Sequence, residues 1–126
     1  MSTLPLVRPG SIVLDCPDPK GLADFYAALL GWSPPESVNE IGWARLVDPN
    51  GGMHIEFQPA PDYQPPTWPE PTRPQMFHFD LTVDDLAAAG EHALAVGASP
   101  LDLSGAHPTF AVYADPAGHP FCLCAC

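Results

Sequence analysis

The stretch SIVLDCPDPKGLADFYAALLGW (residues 11–32) decides the fold, because its pattern returns in HFDLTVDDLAAAGEHALAVGAS (residues 78–99). Each stretch begins with alternating apolar and polar residues, which predict a strand. Each continues with apolar residues at helical spacing and reaches a glycine, Gly31 or Gly97, where a helix is expected to end. The sequence therefore predicts two copies of a strand followed by a helix.

Both copies go on to an Asp-Pro turn and a closing apolar strand. The two segments are VDPNGGMHIEFQ (47–58) and ADPAGHPFCLC (114–124), which align once an extra glycine is allowed in the first. The distance from the start of the first strand to the turn aspartate is 37 residues in each copy. A half of about fifty residues is too short to bury an adequate core alone. We therefore expect the two halves to associate face to face and to enclose a space between them.

The first copy has clear helix signals. Asp18 is a suitable N-cap, Pro19 suits the first helical position, and an apolar stripe runs from Leu22 to Leu30. The stripe of the second copy is weaker because Gly90 interrupts it. The other predicted elements are strands at 43–49, 53–58 and 77–83, a helix at 84–96, and strands at 109–114 and 119–125.

The two copies make up one predicted domain, residues 1–126, with module 1 at about 10–58 and module 2 at about 76–126. Between them, residues 59–75 contain seven prolines in seventeen residues. Such a connector is expected to be stiff and extended, neither a helix nor a central strand. Its Tyr63 and Trp68 are either packing anchors or parts of a lid over a pocket.

The composition argues against two classes of partner. Fifteen acidic residues face four Lys and Arg, which gives a formal net charge of −11, and such a field repels the phosphates of nucleic acids. No apolar run approaches the roughly 20 residues of a membrane span, and no signal segment opens the chain. We expect a cytoplasmic protein with no nucleic-acid partner and no membrane partner.

The four cysteines are expected to be reduced. Cys122, Cys124 and Cys126 alternate along one predicted strand, where neighbours on the same face lie about 6.6 Å apart, a poor geometry for a disulfide. Cys16 is the only distant partner. Free, partly buried thiols fit a cytosolic protein better than a disulfide framework does.

Three predicted strands indicate a polar cavity. Each carries apolar residues on one face and polar or ionisable residues on the other. Such polar faces are not expected in a dry core, where every buried polar group needs a partner. We expect the polar faces to line one space and the apolar faces to be covered by helices. The polar faces consist of His54, Glu56 and Gln58, of His78, Asp80 and Thr82, and of Cys122, Cys124 and Cys126.

The phrase DFYAALLGW (24–32) and the turns DPNG (48–51) and DPAGHPF (115–121) resemble the vicinal oxygen chelate superfamily, and small bacterial glyoxalase-like proteins in particular. The resemblance covers about residues 10–125. It implies the glyoxalase-like fold, an α+β architecture in which two βαβββ modules in tandem form a cupped mixed sheet. It does not imply one function, because the superfamily includes glyoxalase I, extradiol dioxygenases and bleomycin-resistance proteins.

The resemblance also implies a set of metal ligands. Metal-dependent members take ligands from the first and last strands of each module, positions that fall on Ser11, Glu56, His78 and Cys122. Glu56 and His78 match the superfamily pattern, whereas Ser11 and Cys122 depart from it. The implied metal set is Glu56, His78 and Cys122, and zinc is the divalent metal that suits it best. The alternative is a hydrogen-bonded pair of Glu56 and His78 beside a structural thiol, without metal.

Two functions are compatible with these residues. The first is a lyase or isomerase that uses Glu56 and His78 as acid and base, with or without metal. The second is a non-catalytic protein that sequesters a cationic or aromatic compound, like the bleomycin-resistance proteins. Glyoxalase I activity and extradiol dioxygenase activity fit less well, because Ser11 and Cys122 occupy ligand positions. The expected ligand-binding residues are Ser11, Val13, Trp43, Arg45, His54, Asp80, Tyr113 and Cys122.

The expected partner is a small-molecule ligand, and two modes of chain association are open. The modules pair within one chain, or they exchange between chains to give a homodimer with two shared cavities. In either arrangement, Glu56 and His78 are predicted to become neighbours.

Overall fold

The protein is α+β, as predicted. The computed structural model describes residues 5–6, 8–105 and 108–125. In chain order its elements are β1 (Ser11–Cys16), α1 (Pro19–Leu30), β2 (Ala44–Leu46), β3 (His54–Pro59), β4 (Phe79–Thr82), α2 (Leu86–Val96), β5 (Ser99–Asp102), β6 (Phe110–Ala114) and β7 (Pro120–Cys124). No helix among the described residues is long and apolar enough to cross a membrane.

The described strands form two mixed sheets. The first sheet has the order β1-β3-β2 and the second has the order β4-β7-β6-β5. In each, the opening strand of the module pairs in parallel with the closing strand, β1 with β3 and β4 with β7. The internal duplication is therefore visible in the strand pairing.

The first module has one strand fewer than the predicted βαβββ pattern. In the second module, β5 follows the helix and pairs with β6 at the edge of the sheet. The corresponding part of the first module contains Pro34 and Pro35 and forms no strand. Proline has no N–H to give to a neighbouring strand, and two in succession oppose pairing.

Side chains before each helix fix where it starts. Asp18 accepts a hydrogen bond from the Gly21 N–H at 3.1 Å, so the predicted N-cap is confirmed. Asp85 accepts one from the Ala88 N–H at 3.1 Å, and α2 therefore begins two residues later than predicted. The first helix ends at Gly31, whose φ of 74° lies in the left-handed region.

The modules share one apolar core, and this corrects the expectation that they enclose a polar space. Tyr26 of α1 stacks on Phe57 of the same module at 6.0 Å between ring centroids. The same ring contacts Phe79 and Phe121 of the second module, at 5.7 Å and 6.3 Å. Within one chain the helix-covered apolar faces therefore meet, and Tyr26 contacts both sheets.

The cysteines differ in part from the expectation. Cys16 is fully buried, Cys122 is half-buried, and both are free thiols. Cys124 is disulfide-bonded, contrary to the expectation of reduced thiols throughout. Cys126 lies outside the described residues.

Candidate functional site

Polar side chains follow the faces of both sheets that point away from the helices. In the first sheet, Val13 and Arg45 are each in register with Glu56, and all three lie on that face. In the second sheet, Asp80 is in register with Cys122. The apolar neighbours in these strands are buried in the core, so the predicted alternation of faces is confirmed.

The polar face of the first sheet carries a pocket of about 290 Å³ that includes Trp43, Arg45 and Glu56. The Arg45 Nε lies 3.6 Å from the Glu56 Oε1, and the Arg45 side chain is 59% exposed. An ion pair this accessible adds little stability. It leaves both charged groups available to a ligand beside the indole of Trp43.

The polar face of the second sheet carries His78, Asp80 and Cys122. One ligand atom from each lies within 4.8 Å of the others, the one such group of three or more among the described residues. The His78 Nε2 is 3.0 Å from the Asp80 Oδ1. Burial raises the pKa of the Cys122 thiol, and the Asp80 charge and hydrogen bond raise it further. In the absence of a cation, Cys122 is therefore a neutral thiol.

This group lies in a pocket of about 340 Å³ whose wall includes Trp68 from the connector. The loop that presents Trp68 is held by its own hydrogen bonds: the Thr67 N–H donates to the Arg73 carbonyl at 2.8 Å, and the Arg73 N–H donates to the Thr67 Oγ1 at 2.9 Å. Arg73 Nε donates to the Pro65 carbonyl at 2.8 Å. Of the two interpretations of Trp68, the structure favours a wall of a pocket.

The donor atoms of the second sheet fit a divalent cation. An imidazole nitrogen, a thiol sulfur and a carboxylate oxygen are the three ligand types that zinc takes, and three protein ligands leave a position open for a substrate or water. Magnesium and calcium prefer oxygen ligands, so the sulfur of Cys122 makes this group unsuitable for them. In this group Asp80 takes the place that the resemblance gave to Glu56.

Within one chain the structure does not bring Glu56 and His78 together. Glu56 lies in the Trp43 pocket of the first sheet, and His78 lies in the Trp68 pocket of the second. Ser11 is exposed and is in register with His54. The Nδ1 of His54 is buried and has no hydrogen-bond partner among the described residues.

Tyr113 lies on the face opposite to the one expected for a ligand-binding residue. Its ring is 3% exposed and stacks on Phe121 at 5.8 Å, on the helix side of the sheet. The reason is the register of β6, in which Val112 is opposite Cys122. Val112 and Phe110 therefore line the Trp68 pocket. A larger cavity of about 450 Å³ lies beside Tyr113 and α2, away from the ionisable group.

Sequence reasoning missed a buried polar network around the second Asp-Pro turn. The Asp115 carboxylate accepts hydrogen bonds from the Tyr26 hydroxyl at 2.7 Å and from the Ala117 and His119 N–H groups at 2.9 Å and 3.0 Å. The Nδ1 of His119 lies 2.9 Å from the same carboxylate, and its Nε2 lies 3.1 Å from the Tyr63 hydroxyl. One signal was available: a tyrosine on the apolar stripe of a helix needs a partner for its hydroxyl.

Comparison with known proteins adds the family. The family model described as a glyoxalase-like domain matches residues 11–124. The chain belongs to the glyoxalase-like domain family. No curated protein matches the chain.

Solved structures share the glyoxalase-like fold at low sequence identity. A glyoxalase-related enzyme from Fulvimarina pelagi has a TM-score of 0.67 and 20% identity, over 94% of this chain and 88% of that one. A glyoxalase/bleomycin resistance protein/dioxygenase family enzyme from Burkholderia phytofirmans PsJN has a TM-score of 0.67 and 17% identity, over 90% and 94%. A glyoxalase/bleomycin resistance protein from Albidiferax ferrireducens T118 has a TM-score of 0.62 and 18% identity, over 91% and 95%. At these identities the likeness establishes the fold alone.

Proposed function

We propose that the protein binds a small molecule on the polar faces of its sheets, with the pocket beside Trp68 at the centre of the site. The observation that carries the proposal is the convergence of His78, Asp80 and Cys122 in a pocket that also has an aromatic wall. A mostly apolar pocket with a few convergent polar groups is the usual composition of a ligand site. We also propose a cytoplasmic location, which the free thiols of Cys16 and Cys122 favour and the disulfide of Cys124 does not.

The same three side chains are proposed to bind zinc. When bound, zinc would act as a Lewis acid on a ligand oxygen. His78 and Cys122 would hold the ion from neighbouring strands, and Asp80 would give the third bond. The thiol would lose its proton on binding, so the affinity should rise with pH.

Metal content tests this part. Protein purified without chelator or affinity tag is expected to contain stoichiometric zinc by mass spectrometry, and Asp80→Asn and Cys122→Ser should each lose most of it. Asp84→Asn is the matched control, because Asp84 is exposed and lies outside the group. Zinc-free wild type, or equal zinc in all variants, would exclude the metal site.

We propose that two chains pair so that Glu56 of one meets His78 of the other. The support is that both residues lie on sheet faces that point away from the core shared by the modules, so a second chain has access to them. In such a dimer each cavity takes one wall from each chain.

Mixing two variants tests the pairing. Glu56→Gln and His78→Ala should each lose ligand binding or turnover as pure proteins. Refolded together, they form mixed dimers in which one cavity carries both changes and the other carries neither, so part of the function should return. A monomer by light scattering, or no recovery on mixing, would rule out a shared cavity.

Catalysis and sequestration remain two candidates for this site. As an enzyme, the protein would be a lyase or isomerase that uses Glu56 and His78 as acid and base when no metal is bound, whereas with zinc bound His78 would be a ligand and Glu56 the acid or base. Sequestration of a cationic or aromatic compound is supported by the indoles of Trp43 and Trp68 and by the net charge of −11, because a cation over an indole gains roughly 0.5–2 kcal/mol.

A thermal-shift screen of zinc and of a small-molecule panel that includes bleomycin separates the two. For an enzyme, Glu56→Gln and His78→Ala should abolish turnover while affinity survives. For a sequestering protein, Trp43→Ala and Trp68→Ala should weaken binding at least tenfold. If no compound raises Tm, the proposed function is wrong.

A further inference from the structure

Another polar cavity, of about 250 Å³, lies between the connector and the first sheet. Its walls come from β1, from both ends of the connector and from His119, and it shares no lining residue with the Trp68 pocket. The connector is docked here through Pro65, which approaches the backbone of Gly118. A Cβ at Gly118 would lie 2.7 Å from the Cβ of Pro65. The cavity is therefore a separate site, built where the connector meets both modules.

Two opposite charges face this cavity without neutralising each other. Arg73 and Asp15 both line it, yet no carboxylate is within ion-pair distance of Arg73 in the part of the chain that the structure describes. The Arg73 Nε–H donates a hydrogen bond to the Pro65 carbonyl. The outer N–H groups of the guanidinium can therefore receive a carboxylate in a bidentate pair. In a chain with fifteen acidic residues and four basic ones, such a cation is unusual.

The cavity also contains an anion. Asp15 lines the same cavity as Arg73, and its carboxylate can accept hydrogen bonds from a positively charged donor of a ligand.

Apolar side chains complete the cavity. Met76 and Phe77 are 89% and 47% exposed at its edge, and Val13 and Pro66 lie within it. On the remaining side, the hydroxyl of Tyr63 is held 3.1 Å from the His119 Nε2. A volume of about 250 Å³ equals about eight water molecules in the liquid, which is enough room for a free amino acid of medium size.

We propose that this cavity binds a small zwitterion with an apolar side chain, that is, a free amino acid of the leucine class. Arg73 pairs with its carboxylate, Asp15 receives its ammonium group, and the side chain packs on Met76 and Phe77. The site shares no lining residue with the Trp68 pocket, and its Val13 edge borders the face proposed to meet a second chain.

Four probes of nearly equal shape test the chemistry. L-leucine carries both charged groups, 2-hydroxy-4-methylpentanoate replaces the ammonium by a hydroxyl, 4-methylpentanoate has only the carboxylate, and 3-methylbutylamine has only the ammonium. Calorimetry should rank leucine first by about tenfold or more, because it alone satisfies both ends of the cavity. Equal binding of 4-methylpentanoate and leucine would overturn the proposal.

Substitutions test the residues. Arg73→Gln should weaken leucine binding about tenfold or more, whereas the matched control Arg8→Gln should not, because Arg8 is an exposed cation outside this cavity. Asp15→Asn should remove most of the preference for leucine over 4-methylpentanoate. An equal effect of Arg73→Gln and Arg8→Gln would contradict the assignment.

NMR spectra of the wild-type protein show where leucine binds without the need for a variant. Leucine should shift the ring signals of His119 and Tyr63 and leave the indole signal of Trp68 and the ring of His78 in place. Shifts confined to Trp68 and His78 would assign leucine to the other pocket and exclude this one. If none of the four probes shifts His119 at millimolar concentration, the cavity is not a zwitterion site. The zinc and small-molecule tests of the Trp68 pocket are unaffected by either result.

Discussion

Asp115 is the one buried charged side chain in the part of the chain that the structure describes. A carboxylate removed from water costs several kcal/mol unless donors surround it. Here the donors are the Tyr26 hydroxyl from the first module, the His119 ring and two N–H groups of the turn. The pKa of Tyr26 lies well above its usual value, first because of burial and then because of the Asp115 charge. Tyr26 therefore remains a hydrogen-bond donor at all physiological pH values.

Asp115→Asn is expected to destabilise the protein by about 3 kcal/mol or more, because an amide NH₂ would face donors that now meet a carboxylate. The duplication offers a matched control in Asp48, the same position of the first turn, which accepts from the Asn50 N–H at 2.8 Å in an exposed setting. Asp48→Asn should cost less than about 1 kcal/mol. Urea unfolding measures both, and equal losses would remove the special role of Asp115.

Cys16 gives a prediction for alkaline pH. Burial is the main cause that raises the pKa of this thiol from 9.0 to about 11. The folded protein therefore holds a proton that the unfolded chain releases, and stability should fall as pH rises from about 9 to about 11. The loss attributable to this group is roughly 2–3 kcal/mol.

The variant Cys16→Ala isolates that contribution. Buried tyrosines and Cys122 titrate in the same direction, so the wild type alone does not identify the group. Free energies of unfolding from urea at several pH values should converge for the two proteins as pH rises. Parallel curves for wild type and Cys16→Ala would assign the alkaline loss to other residues.

At the residue scale, the strand faces could be predicted from the sequence and the network around Asp115 could not. Glu56 and Cys122 lie on polar faces because alternation in a strand fixes them. The sequence predicts Tyr113 on the polar face of its strand, and this prediction is wrong. The face depends on the register of β6 with β7, in which Val112 is opposite Cys122. His119 lies between a glycine and a proline, which is typical of an exposed loop. Its contact with Asp115 forms only when the turn at 115–119 closes.

The helix α2 shows why Gly90 interrupts an apolar stripe. A Cβ at this position would lie 2.4 Å from the hydroxyl oxygen of Tyr113. Tyr113 is buried and stacked on Phe121, and displacing its ring would disturb that stacking. The glycine weakens the helix locally and permits the close contact between α2 and β6.

Gly90→Ala is therefore expected to destabilise the protein by about 1–3 kcal/mol through overpacking, despite the better helix propensity of alanine. In a Tyr113→Phe background the obstructing oxygen is gone, and the same change should be neutral or stabilising by up to about 1 kcal/mol. Thermal unfolding of the four proteins completes the cycle. A stabilising Gly90→Ala in the wild type would show that Tyr113 moves freely.

At the scale of elements, the caps and the connector were predictable and one strand was not. Asp18 fixes the start of α1 because its side chain accepts a hydrogen bond from the Gly21 N–H. The two residues are close in the chain, so the sequence alone predicts this contact. The strand β5 is four residues long and contains Pro100, so it has no periodic signal. The position of Trp68 depends on hydrogen bonds within residues 65–73. No pattern in that stretch of sequence predicts these hydrogen bonds.

The whole molecule is held by a core to which both modules contribute. The sequence predicts the duplication, but it does not tell which faces of the halves meet. Tyr26 decides this, since its ring and its hydroxyl bind different parts of the second module. The polar faces consequently point outward, and the predicted meeting of Glu56 and His78 within one chain gives way to a proposal about two chains.

Splitting the chain in the connector tests this dependence. Fragments 1–70 and 71–126, divided between exposed Glu70 and Pro71, should each lack cooperative thermal unfolding, because each exposes half of a core. Mixed in equal amounts, they should recover it. A second fragment that carries Asp115→Asn should recover much less, and cooperative unfolding of either fragment alone would contradict the shared core.

The bond between the Tyr26 phenol and the Asp115 carboxylate also bears on the history of the gene. A single ancestral half would have needed another copy of itself to cover its apolar face. In the present chain the two copies differ, since one supplies the donor and the other the carboxylate. If the halves were separated, the second would keep the Asp115 carboxylate without the Tyr26 donor, and the first would keep a phenol without its acceptor.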